Sequence, residues 1–283
     1  MSPTRALVLG GGGLAGIAWH VGILAGLADR GLDVTDADFI VGTSAGSTVA
    51  AQVASGMPID ECFRRQVDPA FQNRELRPTL SVTDLWDTML RLVEEVDDPA
   101  ELRRRIGSVA LAADTVAEPV RRAVVAGRLP SDDWPEQRMA TVAIDALTGD
   151  RRVFERGSGA GLVDAVAASS AVPGIWPPVT IGDARYIDGG IYSSCNADLA
   201  VGYHRVLILA PLVDAELPGE RALIEATGTT FLVEPDADAL AAFSSDPLDP
   251  AVRTPSALAG YAQGQAVAAA VAEFWGDPGS DPE

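Results

Sequence analysis

Residues 5–16, RALVLGGGGLAG, run from a short apolar segment into four consecutive glycines and then into small and apolar residues. Residues 39–46, FIVGTSAG, repeat this pattern with a second apolar segment and a turn of the form G-x-S-x-G. The two apolar segments predict buried strands at 5–9 and 38–42, and each turn opens a predicted helix. A strand, a tight glycine turn and a helix in this order are typical of an α/β fold.

Ser44 occupies the centre of the second turn, between Gly42 and Gly46. A G-x-S-x-G turn between a strand and a helix is typical of a nucleophile elbow, in which the sharp turn exposes the serine hydroxyl. The same pattern occurs by chance in chains rich in glycine and alanine, so it indicates a catalytic serine only when other elements of an active site are also present. Ser44 is therefore the candidate nucleophile.

The glycine run of the first turn is a candidate anion-binding loop. Backbone N–H groups at the start of a helix point outward, and the helix dipole favours negative charge there. The sequence therefore predicts an oxyanion hole formed by the amides of Gly11, Gly12 and Gly13, with Gly16 completing the motif.

The same run also fits the Gly11-x-Gly13-x-x-Gly16 fingerprint of dinucleotide-binding folds. That function requires an acidic residue about 20 residues further on, at the end of the second strand, to bind a ribose hydroxyl. Here the second predicted strand ends in the turn that carries Ser44, so the requirement is not met. Nucleotide binding through the first loop alone is one alternative function.

Histidine is the usual base for a serine nucleophile, and the chain has two. His20 lies one turn inside the first predicted helix, among apolar residues. His204 precedes a predicted strand at 206–210 that carries it into the sheet. These placements make a carboxylate the better candidate.

That carboxylate is Asp188, which follows a predicted strand at 184–187. Gly189 and Gly190 remove side-chain bulk beside it. An aspartate with an ordinary pKa of about 3.9 is a weak base. It acts through proximity to the serine, with the developing oxyanion stabilised by the glycine loop.

Composition limits the classes of partner. The chain of 283 residues carries a net charge of −19, and all 21 basic residues are arginine. This acidic balance argues against nucleic acid and against electrostatic docking on anionic lipid, so at most a transient contact with a membrane surface is expected. The N-terminus lacks a charged segment followed by an apolar one, which predicts a cytoplasmic protein.

Strands and helices alternate along the chain, which predicts a mostly parallel sheet covered on both faces. In such sheets ligands bind beyond the carboxyl ends of the strands, where both glycine turns lie. We expect one domain over residues 1–276 and a disordered tail at 277–283. Residues 81–127 form a helical insertion, which either packs on the domain or serves as a lid or acyl-chain groove over the serine. Its apolar stripe consists of Trp86, Met89, Leu90 and Val93.

Taken together, the motifs resemble those of the patatin-like phospholipase family. The family's oxyanion loop matches residues 11–16, its nucleophile elbow matches 42–46, and its Asp-Gly-Gly block matches 188–190. Residues 168–174, ASSAVPG, resemble the segment that precedes the catalytic aspartate in that family.

The resemblance covers roughly residues 5–210. It implies a three-layer α/β/α fold, a Ser44–Asp188 dyad, and hydrolysis of lipid or other acyl esters without a metal or cofactor. One departure is Ala15, because the family often carries Lys or Arg before the last glycine of the first loop. Without that cation, and with an acidic surface, neutral esters of short to medium chain are expected to be cleaved faster than anionic phospholipid vesicles. A non-catalytic lipid- or partner-binding protein of the same fold is the second alternative.

Overall fold

The computed structural model describes residues 4–77 and 82–276, and within the helix that begins at Val82 it describes side chains from Met89 onward. The predicted tail at 277–283 lies outside the described residues. In the described ranges eight strands form one sheet: β1 (Arg5–Leu9), β2 (Phe39–Gly42), β3 (Met139–Asp145), β4 (Arg151–Glu155), β5 (Val179–Ile181), β6 (Ala184–Asp188), β7 (Arg205–Leu209) and β8 (Thr229–Val233). The helices there are α1 (Gly13–Asp29), α2 (Ala45–Ala54), α3 (Ile59–Val67), α4 (Val82–Glu95), α5 (Pro99–Ala112), α6 (Glu118–Arg128), α7 (Leu162–Ser169), α8 (Leu217–Glu225), α9 (Ala237–Phe243) and α10 (Arg253–Trp275).

The sheet is mostly parallel. Strands β3, β2, β1, β7 and β8 are neighbours in that order and run in the same direction. Strands β4 and β6 pair with β3 in the antiparallel sense, and β5 forms a hairpin with β6. Parallel strands place their carboxyl ends along one side of the sheet, which is where ligands bind in such folds.

Strand β3 brings the ends of two other strands together. Strand β4 covers one edge of β3, so β2 and β6 must share the other edge. They approach along it from opposite directions, with Gly42 of β2 opposite Thr141 and Asp188 of β6 opposite Ala143. The last residues of β2 and β6 therefore lie close together, with β3 fixing the distance between them.

Helices cover both faces of the sheet because the strands alternate their apolar side chains between the faces. In β1, Leu7 and Leu9 face one way and Ala6 and Val8 face the other, and all four are fully buried. Helices α1, α2, α7 and α10 pack on the first face, whereas α5 and α8 pack on the second. The predicted three-layer α/β/α fold with a mostly parallel central sheet is thus confirmed.

Where the predicted elements differ from the structure, prolines explain much of the difference. Within the insertion predicted at 81–127, α6 begins at Glu118, because Pro119 lacks an N–H and fits only in the first turn of a helix. The sequence prediction omits β5, which starts directly after Pro178, and α8, whose Pro218 occupies the first turn. Proline ends the interior of a helix or central strand, but it favours the first turn of a helix, which is where Pro119 and Pro218 lie.

The helical insertion packs in part on the second face of the sheet. Ile106 of α5 and Met89 of α4 belong to one apolar cluster with Ile144 of β3. The stripe residues Leu90 and Val93 are 57% and 56% exposed, and the side chain of Trp86 lies outside the described ones. Among the described residues, no helix is both long and apolar enough to cross a bilayer.

Candidate active site

The turn after β2 holds Ser44 in a conformation that few residues adopt. Its φ of 51° and ψ of −112° are unusual for a residue with a side chain, and such values cluster at functional sites. Gly46 is required two residues later because a β-carbon there would overlap the carbonyl oxygen of Leu9. The close approach of α2 to β1 therefore produces the sharp strand-to-helix turn predicted from the G-x-S-x-G pattern.

Ser44 and Asp188 are joined directly. The Ser44 hydroxyl donates to Oδ2 of Asp188 at 2.7 Å, and the Gly190 amide donates to Oδ1 of the same carboxylate at 2.8 Å. Ser44 is 7% exposed and Asp188 5%. Both carboxylate oxygens are thus hydrogen-bonded, and the side chain is held with one oxygen toward the serine.

The pairing of β3 with its two neighbours accounts for this contact. Ser44 follows the end of β2 and Asp188 ends β6, and these strands meet on one edge of β3. Gly189 lets the chain turn tightly against β3, because a β-carbon there would overlap the carbonyl oxygen of Val142. The Asp-Gly-Gly segment recognised in the sequence therefore places the carboxylate beside the elbow.

Burial changes the acidity of the carboxyl group. It raises the pKa of Asp188 from 3.8 to about 6, against the opposing effects of the hydrogen bonds from Ser44 and Gly190 and of the charge on Arg121. A group with this pKa is mostly ionised at neutral pH and accepts a proton more readily than an ordinary aspartate. The site thus strengthens the weak base that the sequence analysis had assigned.

The glycine loop differs in one respect from the predicted oxyanion hole. The Gly11 amide donates to the carbonyl oxygen of Ser194 at 2.8 Å, so it is not available to an oxyanion. The amides of Gly12 and Gly13 donate to no partner among the described residues. Helix α1 begins at Gly13, so these free N–H groups lie at its positive end. The prediction of three donors therefore reduces to two.

Two side chains position the elbow from sites distant in sequence, and the sequence analysis did not assign them a role. Ser169 Oγ accepts from the Ser44 amide at 3.0 Å. Asn196 donates to Thr43 Oγ1 at 3.1 Å and has a φ of 52°, a region that asparagine tolerates. The only sequence signal for either was the ASSAVPG segment, which contains Ser169.

Neither histidine is hydrogen-bonded to the dyad. His20 is fully buried and lies with Nε2 3.2 Å from the carbonyl oxygen of Leu209. Burial lowers its pKa to about 4, so it is neutral at neutral pH. His204 is exposed and its Nδ1 accepts from the amide of Thr4 at 3.2 Å. Asp188 is the titratable group that contacts Ser44.

A narrow cleft of about 20 Å³, partly open to solvent, lies beside Ser44. Its described lining includes apolar residues of α1, the nucleophile elbow, and charged side chains of α6 and of the segment that precedes α4. The lining includes Leu14, Ser44, Glu75, Arg121, Arg128, Ser170 and Trp176.

Two arginines in this cleft correct an expectation drawn from Ala15. That residue was expected to leave the site without a cation, yet Arg121 and Arg128 of α6 both line the cleft. Arg128 forms a bidentate ion pair with Glu75, with nitrogen–oxygen distances of 2.6 and 3.1 Å. Neither arginine carries a local sequence signal for this position, because only the tertiary packing of α6 brings them to the cleft.

The chain was compared with known proteins. The family model described as patatin-like phospholipase matches residues 7–201. An uncharacterized NTE family protein of Mycobacterium tuberculosis (strain ATCC 25618 / H37Rv) is 31% identical over 208 residues, which are 71% of this chain and 48% of the relative. Another from Mycobacterium tuberculosis (strain CDC 1551 / Oshkosh) is 28% identical over 193 residues, which are 68% of this chain and 27% of the relative. The chain thus spans about half of the first relative and less of the second.

Two solved structures are also similar. VipD from Legionella pneumophila aligns with a TM-score of 0.47 and 12% identity, over 95% of this chain and 67% of that one. The type III effector protein ExoU aligns with a TM-score of 0.38 and 16% identity, over 94% of this chain and 53% of that one. The family assignment rests on the family model, which spans the glycine loop, the serine elbow and the Asp-Gly-Gly segment. The chain belongs to the patatin-like phospholipase family.

Proposed function

We propose that this chain is a serine acyl hydrolase that cleaves lipid or other carboxylic esters with Ser44 as nucleophile and Asp188 as general base. The observation that carries the proposal is the 2.7 Å hydrogen bond from the Ser44 hydroxyl to the Asp188 carboxylate, at an elbow beside an open cleft. Membership of the patatin-like phospholipase family supports an ester of a lipid as the substrate class.

The first half of the reaction forms an acyl-enzyme. The Asp188 carboxylate takes the hydroxyl proton as Ser44 Oγ attacks the ester carbonyl carbon, and the carbonyl oxygen becomes an oxyanion. The free amides of Gly12 and Gly13 are the donors available to stabilise it. When the intermediate collapses, the bond to the alcohol oxygen breaks and the proton held by Asp188 passes to that oxygen, releasing the alcohol.

The second half regenerates the enzyme. Asp188 takes a proton from a water molecule, which attacks the acyl carbon, and a second oxyanion forms in the same place. Collapse breaks the bond to Ser44 Oγ, which recovers its proton from Asp188, and the carboxylic acid leaves. One water is consumed for each ester, and every proton is transferred through Asp188.

A hydrolysis panel tests the proposal. Purified wild-type protein and Ser44→Ala are assayed with p-nitrophenyl esters of increasing chain length and with phospholipids in detergent micelles. The proposed function requires ester cleavage by the wild type that Ser44→Ala lacks. Equal rates in the two proteins, or none in either across the panel, would contradict it.

The pH dependence of the reaction follows from the state of Asp188. We expect kcat/KM for a neutral ester to fall as the pH decreases through an apparent pKa of about 6, because the protonated carboxyl group cannot accept the serine proton. The rate is measured by chromatography of the released acid, across a pH range that brackets this value. The acid limb should persist in His204→Ala, since that imidazole is exposed and bonded to Thr4. Its disappearance in that variant would assign the base to histidine.

The oxyanion hole can be located in a covalent adduct. In a crystal structure of the protein labelled with a fluorophosphonate, the phosphonyl oxygen is expected about 2.7–3.1 Å from the amide nitrogens of Gly12 and Gly13. An oxygen that contacts neither amide would refute the assignment. Substitution is a poorer test, because the β-carbon of Gly12→Val would lie 2.7 Å from Pro211 Cβ and 2.9 Å from Gly16 Cα. That variant would disturb the loop itself.

A further inference from the structure

Arg121 is a buried cation in the cleft without an ion-pair partner among the described residues. It is 5% exposed, it lines the cleft beside Ser44, and its Nε and Nη1 atoms are buried without a hydrogen-bond partner among the described residues. Its guanidinium carbon lies 4.0 Å from the ring centroid of Trp176. This cation–π contact provides part of the stabilisation of the guanidinium group, but Nε and Nη1 remain without a partner among the described residues.

The nearby carboxylates are already occupied. Glu75 is held by the bidentate contact with Arg128, and Arg253 lies 4.0 Å from it on another side. Asp188 accepts from Ser44 with one oxygen and from Gly190 with the other. Both carboxylates act on Arg121 through their charge, but neither forms a hydrogen bond with it in the described part of the chain.

A buried guanidinium with unused donors is costly to a fold, because both its charge and its N–H groups have lost water. Burial lowers the pKa of Arg121 to about 9, so the group is still charged at neutral pH. Planar guanidinium groups bind carboxylates and phosphates through two parallel hydrogen bonds. An anion that enters the cleft would therefore supply the acceptors that the protein does not.

We propose that Arg121 determines substrate specificity by binding an anionic group, a phosphate or a carboxylate, of the ester whose carbonyl is presented to Ser44. This inference rests on the proposed function and names the substrate class of that site. It replaces the expectation of neutral esters drawn from Ala15, since the cation comes from α6 and not from the glycine loop. The net charge of −19 still disfavours anionic membrane surfaces, so the favoured substrate is a dispersed anionic ester.

Binding to an inactive protein tests the proposal without turnover. Ser44→Ala is titrated calorimetrically with octyl phosphate, octanoate and octanol, which share a chain length and differ in charge. At least one anion is expected to bind roughly 10- to 100-fold more tightly than octanol, the range of a hydrogen bond to a charged group. The phosphate and carboxylate arms show which anion is preferred. If neither binds more tightly than octanol, the proposal is overturned.

Variants on α6 assign the preference to one residue. In the Ser44→Ala background, Arg121→Gln is expected to abolish the advantage of the anion, and Arg121→Lys to retain part of it, because the charge remains but the planar fork is lost. The matched control is Arg122→Gln, which removes the same charge from the neighbouring residue. Arg122 forms ion pairs with Asp132 and Asp164. Arg122→Gln should keep the full preference. A preference that survives Arg121→Gln would overturn the proposal.

The two proposals fail in different ways. The wild type could hydrolyse p-nitrophenyl esters while the Ser44→Ala variant binds anions no better than octanol. That result would support the proposed hydrolase function and contradict the proposed anion site. A preference for anions that depends on Arg121, in a protein without esterase activity, would support the anion site and contradict the hydrolase function. A purely structural Arg121 would weaken the binding of octanol and of the anions alike in Arg121→Gln, which also contradicts the proposal.

Discussion

Ser44→Ala is expected to lower kcat for ester hydrolysis by about 10⁴–10⁶-fold, as removal of a serine nucleophile does in other hydrolases. The loss is large because the covalent step cannot occur, and the remaining groups only bind and polarise the ester. The measurement is the initial rate of p-nitrophenyl ester hydrolysis, with a fluorophosphonate probe and peptide mass spectrometry to locate the adduct. The adduct is expected on Ser44.

Ser170→Ala is the matched control, because Ser170 lines the same cleft while its hydroxyl donates to the carbonyl oxygen of Val166. That variant should label with the probe as the wild type does. Labelling of Ser170, or a rate for Ser44→Ala close to that of the wild type, would show that the nucleophile had been wrongly assigned.

Asp188→Asn is expected to lower kcat by about 10³–10⁴-fold, the upper part of the range for loss of a general base. The amide keeps the shape of the side chain and an oxygen to accept from Gly190, but it cannot take the serine proton. Single-turnover kinetics with an activated ester measure the acylation step directly. His204→Ala serves as the control and should lose far less. Equal losses in the two variants, with both folded, would exclude the dyad.

The same substitution should stabilise the protein at neutral pH. Since the folded-state pKa of Asp188, about 6, lies above its unfolded value of 3.8, ionisation penalises the folded state, and the penalty develops as the pH rises between these values. A shift of this size corresponds to roughly 2–3 kcal/mol in the free energy of unfolding. Denaturant melts at pH 7 and pH 4 should show Asp188→Asn gaining stability only at the higher pH. A loss at pH 7 would contradict the desolvation of the carboxylate.

The sequence predicted those parts of the site that depend on local geometry. An elbow needs small residues on both sides of Ser44, and an anion-binding loop needs glycines at a helix start, so both leave a signature within a few residues. Asp188 was found because two glycines follow it directly. The fold class followed from the alternation of strands and helices, which depends on hydrophobic periodicity within each element.

Contacts between distant segments were not predictable in this way. Ser169 meets the Ser44 amide across 125 residues of chain, and no local pattern specifies that contact. Whether an amide in the glycine loop is free depends on the Ser194 carbonyl, which lies on a different loop. Arg121 looked like an ordinary helical arginine, because its burial and its contact with Trp176 arise from tertiary packing and leave no local pattern. The periodicity of apolar residues likewise predicted helix α4, but it did not predict which of the apolar side chains of this helix would be buried.

Strand β3 sets the distance between Ser44 and Asp188. Ser44 and Asp188 are 144 positions apart in the chain, yet Thr141 and Ala143, the β3 partners of the adjoining strand ends, are neighbours on the same edge. The separation of the reacting groups is therefore independent of how much chain connects them. Helices α4, α5 and α6 lie in that connection, outside the pairing of β2 and β6 with β3 that sets this distance. The walls of the cleft, including the position held by Arg121, can therefore differ in sequence while β3 keeps Ser44 and Asp188 together.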